Sequence, residues 1–195
     1  MPIKGSVTIV GHCLILLVPL IILSGWRSYD NSPGTPGISE TDSLKAYRRN
    51  GAIGRGINFG NALEAHREGD WGLTIKESYV QAIDDAGFNS VRLPICWSAH
   101  TDWTAPHTID PAFLSRVDEV ISWCLSRDLA VIITIHHFNE LYNFPDDPLY
   151  QTMFFSIWRQ LTMHYRDLNH EKLFFEVLNE PEVNLTPEKW NLLLP

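Results

Sequence analysis

The sequence is poor in basic residues: 15 Lys and Arg stand against 23 Asp and Glu, giving a formal charge of -8 over 195 residues. No positive field exists to hold a nucleic-acid backbone or an anionic membrane surface, so neither is expected as a partner. Cysteine is also scarce. The 3 present, Cys13, Cys96 and Cys124, have no CxxC spacing and form no disulfide lattice, and they read as buried, inert thiols. No GxGxxG follows the first apolar run and no GxxxxGK[ST] occurs, which weakens a nucleotide-binding reading. The one long apolar stretch, Cys13 to Leu23, is interrupted by Pro19 and is short for a bilayer span.

What is present begins with that stretch. It follows Lys4 and ends at Ser24-Gly25, the layout of a signal-peptide core. Ile22 and Leu23 stand where a cleavage site prefers small residues, so an uncleaved membrane anchor is the alternative. The text then turns to Ser, Pro, Gly and Thr, as in SPGTPGISETDS, which reads as a flexible tether. Three segments result: a leader over residues 1–26, a linker over 27–43 and a folded domain over 44–195. Export to a secreted or extracytoplasmic location is the expectation.

Beyond the tether, short apolar runs alternate with amphipathic stretches about every 40 residues. The strand candidates are Gly51 to Asn61, Ser90 to Trp97, Ala130 to Phe138 and Leu173 to Pro181. Thr74 followed by Glu77 has the form of a capping box, with Val80, Ile83 and Ala86 as a helical stripe ended by Gly87. Asp110-Pro111, Asp147-Pro148 and Thr186-Pro187 announce three more helices by a cap followed by proline. Phe113, Val117, Val120, Ile121 and Cys124 continue one of them, and Phe154, Ile157, Trp158, Leu161 and Tyr165 another. Strands alternating with such helices imply parallel βαβ units, in an open doubly wound sheet or in a barrel.

Polar residues at the ends of these strands favour the barrel, whose chemistry gathers at the carboxyl ends. They are Asn58 and Asn61 on the first, Arg92 within the second, the pair His136 and His137 on the third, and Asn179 with Glu180 on the fourth. Each has a plainer reading. Arg92 is either a strand-end ion-pair partner or a group that positions a substrate or carboxylate. The histidines are paired core imidazoles satisfied by backbone groups, or metal ligands, although neighbours on a strand point to opposite faces and one metal rarely takes both. Asn179-Glu180-Pro181 alone is no more than a strand-end turn. A carboxyl shielded by aromatic walls at a barrel mouth is suited to protonate a leaving oxygen, and Trp71, Trp97, Trp103 and Phe138 are either sugar platforms or core.

Four stretches, GRGINFGNALEA, GFNSVRLPICW, VIITIHHFNE and FFEVLNEP, in this order and at these spacings resemble glycoside hydrolase family 5, the cellulase family. The resemblance covers about Ile53 to the end of the chain. It implies a (β/α)₈ TIM barrel and a retaining hydrolase of β-glycosidic bonds, with β-1,4-glucan the preferred polysaccharide and no metal or organic cofactor. Glu180 then matches the general acid/base, and Asn179 the residue that binds the sugar 2-hydroxyl. Arg92 matches the arginine that keeps the nucleophile ionised, His136 the active-site histidine, and His137 loosely a sugar contact. The family's nucleophilic glutamate lies on a seventh strand, whereas this chain ends after the fourth. The expectation is the N-terminal half of the barrel, inactive alone; a degenerate glucan-binding barrel and a histidine-based metal hydrolase are the rivals.

The leader generates the first prediction. Residues Met1 to Ser43 fused to a reporter active only outside the cytoplasm are expected to give signal, and a silent reporter rejects export.

Overall fold

The structure is a computed structural model and describes residues 40–168 and 171–194. The leader and most of the tether lie outside these residues, and the described part belongs to one compact unit, Ile38–Pro195. Four strands, β1 (Gly56–Asn58), β2 (Ser90–Ile95), β3 (Ala130–Ile135) and β4 (Leu173–Glu176), form one sheet. The helices are α1 (Glu40–Gly51), α2 (Glu77–Asp85), α3 (Pro111–Leu125), α4 (Asn139–Asn143), α5 (Pro148–Tyr165) and α6 (Pro187–Leu193). Among the described residues no helix is long and apolar enough to cross a membrane.

Every strand pair is parallel, and the order is β1-β2-β3-β4. A doubly wound sheet reverses its order at a switch point beside the first strand; here each strand is simply added next to the last. Sequential addition with a helix in every crossover is the construction of four βα units of a (β/α)₈ barrel.

Register sorts the side chains. Asn58 pairs with Arg92, Arg92 with Ile132, and Thr134 with Glu176, so these residues share one face. The other face carries Val91, Leu93, Ile95, Val131, Ile133 and Ile135, all 0% exposed. It meets the helices: Phe175 of β4 packs edge-on against Trp158 of α5 at 6.0 Å. Val117, Val120, Ile121 and Cys124 of α3, and Phe154, Ile157, Leu161 and Tyr165 of α5, complete this core as their spacing predicts. Burial raises the Cys124 thiol to about 12 and also raises Cys96, which suits both to a packing role.

The caps are mostly as read. Asp110 accepts from Ala112 N at 2.8 Å, Asp147 from Leu149 N at 2.9 Å, and Thr186 from Lys189 N at 3.4 Å. Thr74 and Glu77 do not form a capping box. Helix α2 starts only at Glu77, behind Lys76, which makes no side-chain cap. Glu77 is thus a first-turn acid interacting with the helix dipole rather than a capping-box partner. Ala86 of the expected stripe is exposed, while Gly87 terminates the helix at φ +73°.

All four strands are shorter than expected, the second by the two residues after Ile95, and two helices were not foreseen. The first strand is reduced to Gly56–Asn58 because Gly51 closes α1 and residues 52–55 form the turn that follows it; the described side chains of α1 from Ser43 onward are exposed, and no apolar stripe marks it in the sequence. The last four residues of the expected tether, 40–43, are part of this helix. The third strand stops at Ile135 because His137, at φ +55°, turns the chain out of the ladder. The fourth stops at Glu176, and Val177 gives its carbonyl to Trp158 Nε1 at 3.1 Å. Helix α4, five residues long, is below the length at which periodicity is legible.

Ile133 sits at the centre of β3, 0% exposed between two paired strands. Ile133→Ala is expected to destabilise the full-length protein by about 2–5 kcal/mol in urea unfolding, through lost transfer energy and the cavity left behind. A change under about 1 kcal/mol would show that β3 is not central to the core.

Candidate active site

All the polar strand-end residues collect at the carboxyl ends of the sheet, and Arg92 joins them. Its Nε donates to Glu176 Oε2 and its Nη2 to Glu176 Oε1, both at 2.7 Å, a bidentate pair. Nη2 also donates to Asn179 Oδ1 and Nη1 to Asn58 Oδ1, each at 2.9 Å. Register explains the reach. Arg92, Thr134 and Glu176 lie on one face, with Glu176 one row beyond the pleat, so the guanidinium crosses β3 to meet it.

Glu176 was not singled out in the sequence. Its signal is a carboxylate inside the apolar run Leu-Phe-Phe-Glu-Val, a position that needs a cation nearby. The Arg92 hydrogen bonds hold the Glu176 carboxyl below its usual range against the opposing effect of burial, and they raise Arg92 in turn. Both oxygens of Glu176 are occupied by Arg92, which makes it an anchoring anion. Among the described residues four of the five guanidinium N–H groups are used, leaving one on Nη1 for another acceptor. The ion-pair reading of Arg92 therefore holds, and a free donor remains for positioning a second group.

Asn179 is held from three sides. Its N–H donates to Ile135 O at 2.9 Å, its carbonyl accepts from Tyr142 OH at 2.5 Å, and its amide oxygen accepts from Arg92. With the oxygen committed, the amide NH₂ is oriented as a donor. Glu180 follows at φ +41°, exposed at the rim and near enough that its charge raises Arg92 further.

His136 and His137 correct the sequence reading. Alternation on a strand sends neighbours to opposite faces, but the turn at His137 brings the two rings to 4.3 Å between centroids. Burial first, then the charges of His137 and Arg92, lower His136 to about 4. Its Nδ1 is buried without a hydrogen-bond partner among the described residues. No group of three His, Cys, Asp or Glu there converges as metal ligands would.

The loop after β1 supplies a buried carboxylate that the sequence reading missed. Glu64, 7% exposed, accepts from Asn61 N and, at 2.8 Å, from Ala62 N. Glycine is required beside it, since a Cβ on Gly60 would lie 2.8 Å from Asn58 Nδ2. Of the four candidate sugar platforms, Trp97 and Phe138 are core residues at 0% exposure. Trp71 at 52% and Trp103 at 45% stay open.

A parallel sheet with an Arg, His, Asn and Glu constellation at its carboxyl ends is the arrangement the sequence motifs imply, and comparison identifies it. Residues 52–194 match Cellulase (glycosyl hydrolase family 5). The chain belongs to glycosyl hydrolase family 5. Endoglucanase H of Acetivibrio thermocellus is 38% identical over 158 residues, 80% of this chain and 17% of that protein. Endoglucanase A of Ruminococcus albus is 31% identical over 163 residues, 78% of this chain and 44% of that one. The solved endoglucanase Cel5A of Thermotoga maritima is 52% identical with a TM-score of 0.73, over 76% of this chain and 47% of that structure. The chain thus spans about half the length of this solved relative and less than half of the two endoglucanases.

The geometry generates a titration. A histidine lowered to about 4 stays neutral across the physiological range, and the unfolded chain takes up a proton near 6.5 before the folded one does. Between these values the unfolded state binds more protons, so His136 contributes a loss of stability as pH falls from about 6.5 to 4. NMR titration is expected to give its midpoint near 4; one near 6.5 refutes the burial argument.

Proposed function

We propose that the protein is a retaining β-glycosidase acting on polysaccharide, an endo-β-1,4-glucanase by preference, with Glu180 as the acid/base. The observation that carries this is the network of Arg92 with Glu176, Asn58 and Asn179, which commits the Asn179 amide oxygen and leaves its NH₂ as a donor one residue before the exposed Glu180. In this reading a carboxylate attacks the anomeric carbon while Glu180 protonates the departing oxygen; Glu180 then takes the proton from the water that releases the sugar. Asn179 donates its NH₂ to the 2-hydroxyl. Neutral His136 contacts substrate or a neighbouring carboxylate as a hydrogen-bond partner without adding charge, and His137 offers an exposed ring to a sugar.

The relatives support the class: those compared are endoglucanases, and solved forms of the Thermotoga maritima enzyme hold cellobiose or mannotriose. The last makes mannan a necessary member of any substrate panel. A retaining pair stands about 5–5.5 Å apart across the sugar. Glu176, with both oxygens on Arg92, does not fill the second role, and we assign it to the part of the family fold outside the matched region. The 195-residue chain assayed alone is accordingly expected to show no turnover. Export, resting on the leader, places the enzyme with its polymer.

In the full-length enzyme, Glu180→Gln is expected to lower kcat on glucan by about 10²–10⁴-fold, the usual range for a proton-transfer group. The loss should be much smaller for bond cleavage in substrates with activated leaving groups, and azide should rescue the second step. Equal losses on both substrate types without rescue contradict the assignment.

A further inference from the structure

The loop that carries Glu180 is tied at both ends to α4, the short helix that follows β3. At one end the Tyr142 hydroxyl donates to Asn179 O at 2.5 Å, while Asn179 N donates to Ile135 O at 2.9 Å. At the other end Asn184 N donates to Tyr142 O at 3.0 Å and Asn184 Nδ2 to Asn143 O at 2.8 Å. Between these ties stand Glu180 and Val183 at positive φ, 41° and 58°. For a β-branched residue such as Val183 this conformation is strained, so the loop keeps its form only under restraint.

We infer that Tyr142 is the positioning residue of the acid/base: its hydroxyl holds the peptide that leads into Glu180 and so fixes where the Glu180 carboxyl can reach. The inference rests on the reading of Glu180 as proton donor and adds how that donor is held. The accepting carbonyl belongs to the peptide unit that joins Asn179 to Glu180, and a peptide is planar. A hydrogen bond on its oxygen therefore sets the direction of the Glu180 N–H and Cα as well. The Asn179 side chain is anchored separately, by Arg92. Loss of the tyrosine hydroxyl thus releases the Glu180 end of the turn and leaves the amide in place.

Tyr142 is itself rigid. It is 4% exposed, and its N–H donates to Phe138 O at 3.1 Å. Burial first, then the charges of Glu182 and Glu180, hold its hydroxyl well above the usual tyrosine range, so the group stays a donor. The first two carboxyl-end loops, from β1 to α2 and from β2 to α3, are clamped differently. Arg116 of α3 donates to Glu68 at 2.8 and 3.0 Å, while on α5 Gln160 accepts from Ile109 N at 3.0 Å and Ser156 donates to Pro106 O at 2.7 Å. Those clamps fall on loop residues outside the strand-end cluster. The Tyr142 bond falls on the backbone between two members of it, Asn179 and Glu180.

The test compares Tyr142→Phe with Glu180→Gln in the full-length enzyme, on glucan polymer and on dinitrophenyl β-cellobioside, whose leaving group needs no proton. Tyr142→Phe keeps the buried ring and removes only the hydroxyl. It is expected to lower kcat/KM on the polymer about tenfold, equivalent to roughly 1.4 kcal/mol, and to leave kcat/KM on the activated substrate within about twofold. Asn184→Ala, at the exposed end of the loop, is expected to show the same split with a smaller loss. Equal losses on both substrates in Tyr142→Phe mark packing damage and overturn the inference, as does an unchanged enzyme. Should Tyr142→Phe not fold, the absence of a split in Asn184→Ala overturns it. A split in Glu180→Gln without one in Tyr142→Phe removes Tyr142 and leaves the acid/base reading standing. No split in Glu180→Gln removes that reading and the inference with it.

Discussion

Arg92 is the constraint on which the rest of the site depends. One guanidinium makes hydrogen bonds to residues on β1 and β4 and in the loop that follows β4, so three strand ends are fixed relative to one another through a single rigid fork. The half-buried position makes the bonds stronger than surface pairs, and it makes a lone charge there costly. Glu176 neutralises that charge and Asn58 and Asn179 satisfy further donors, which lets a cation sit half-buried on the polar face of the sheet. The same bonds decide which end of the Asn179 amide faces outward. Structure and chemistry here use one set of atoms.

Around that fork the site is built from departures from ideal geometry. His137, Glu180 and Asn61 all have positive φ, at 55°, 41° and 65°. Each lies just past a strand end, where the chain must leave the ladder and still aim a polar group back over the sheet. Such conformations cost energy for residues with side chains, and surrounding hydrogen bonds hold them. Glu64 on the Asn61 turn and Tyr142 on the Asn179 carbonyl are examples.

These departures also mark the limits of what the sequence disclosed. Strand-forming runs, the Asp-Pro and Thr-Pro helix starts and the α3 and α5 core faces were legible because they depend on local spacing. Arg92 within the second strand and Asn179 with Glu180 after the fourth were legible as a group because polar residues break apolar runs there. Glu176 was not, since its meaning comes from a partner 84 residues away. The pairing of the two histidine rings was misread because strand alternation was extended one residue past the strand's real end. Helix α1 was read partly as tether because an exposed helix has no apolar side to reveal it.

The clamps on the first two loops bear on how this architecture changes over generations. Each loop is fastened by side chains from a helix that follows it in the chain, Arg116 of α3 in one case and Gln160 and Ser156 of α5 in the other. A loop exchanged between homologues without its fastening helix arrives unsupported. The unit that keeps its shape when moved is therefore larger than a loop: it is a loop together with the later helix that holds it, and recombination that cuts between the two separates a loop from the side chains that fix it.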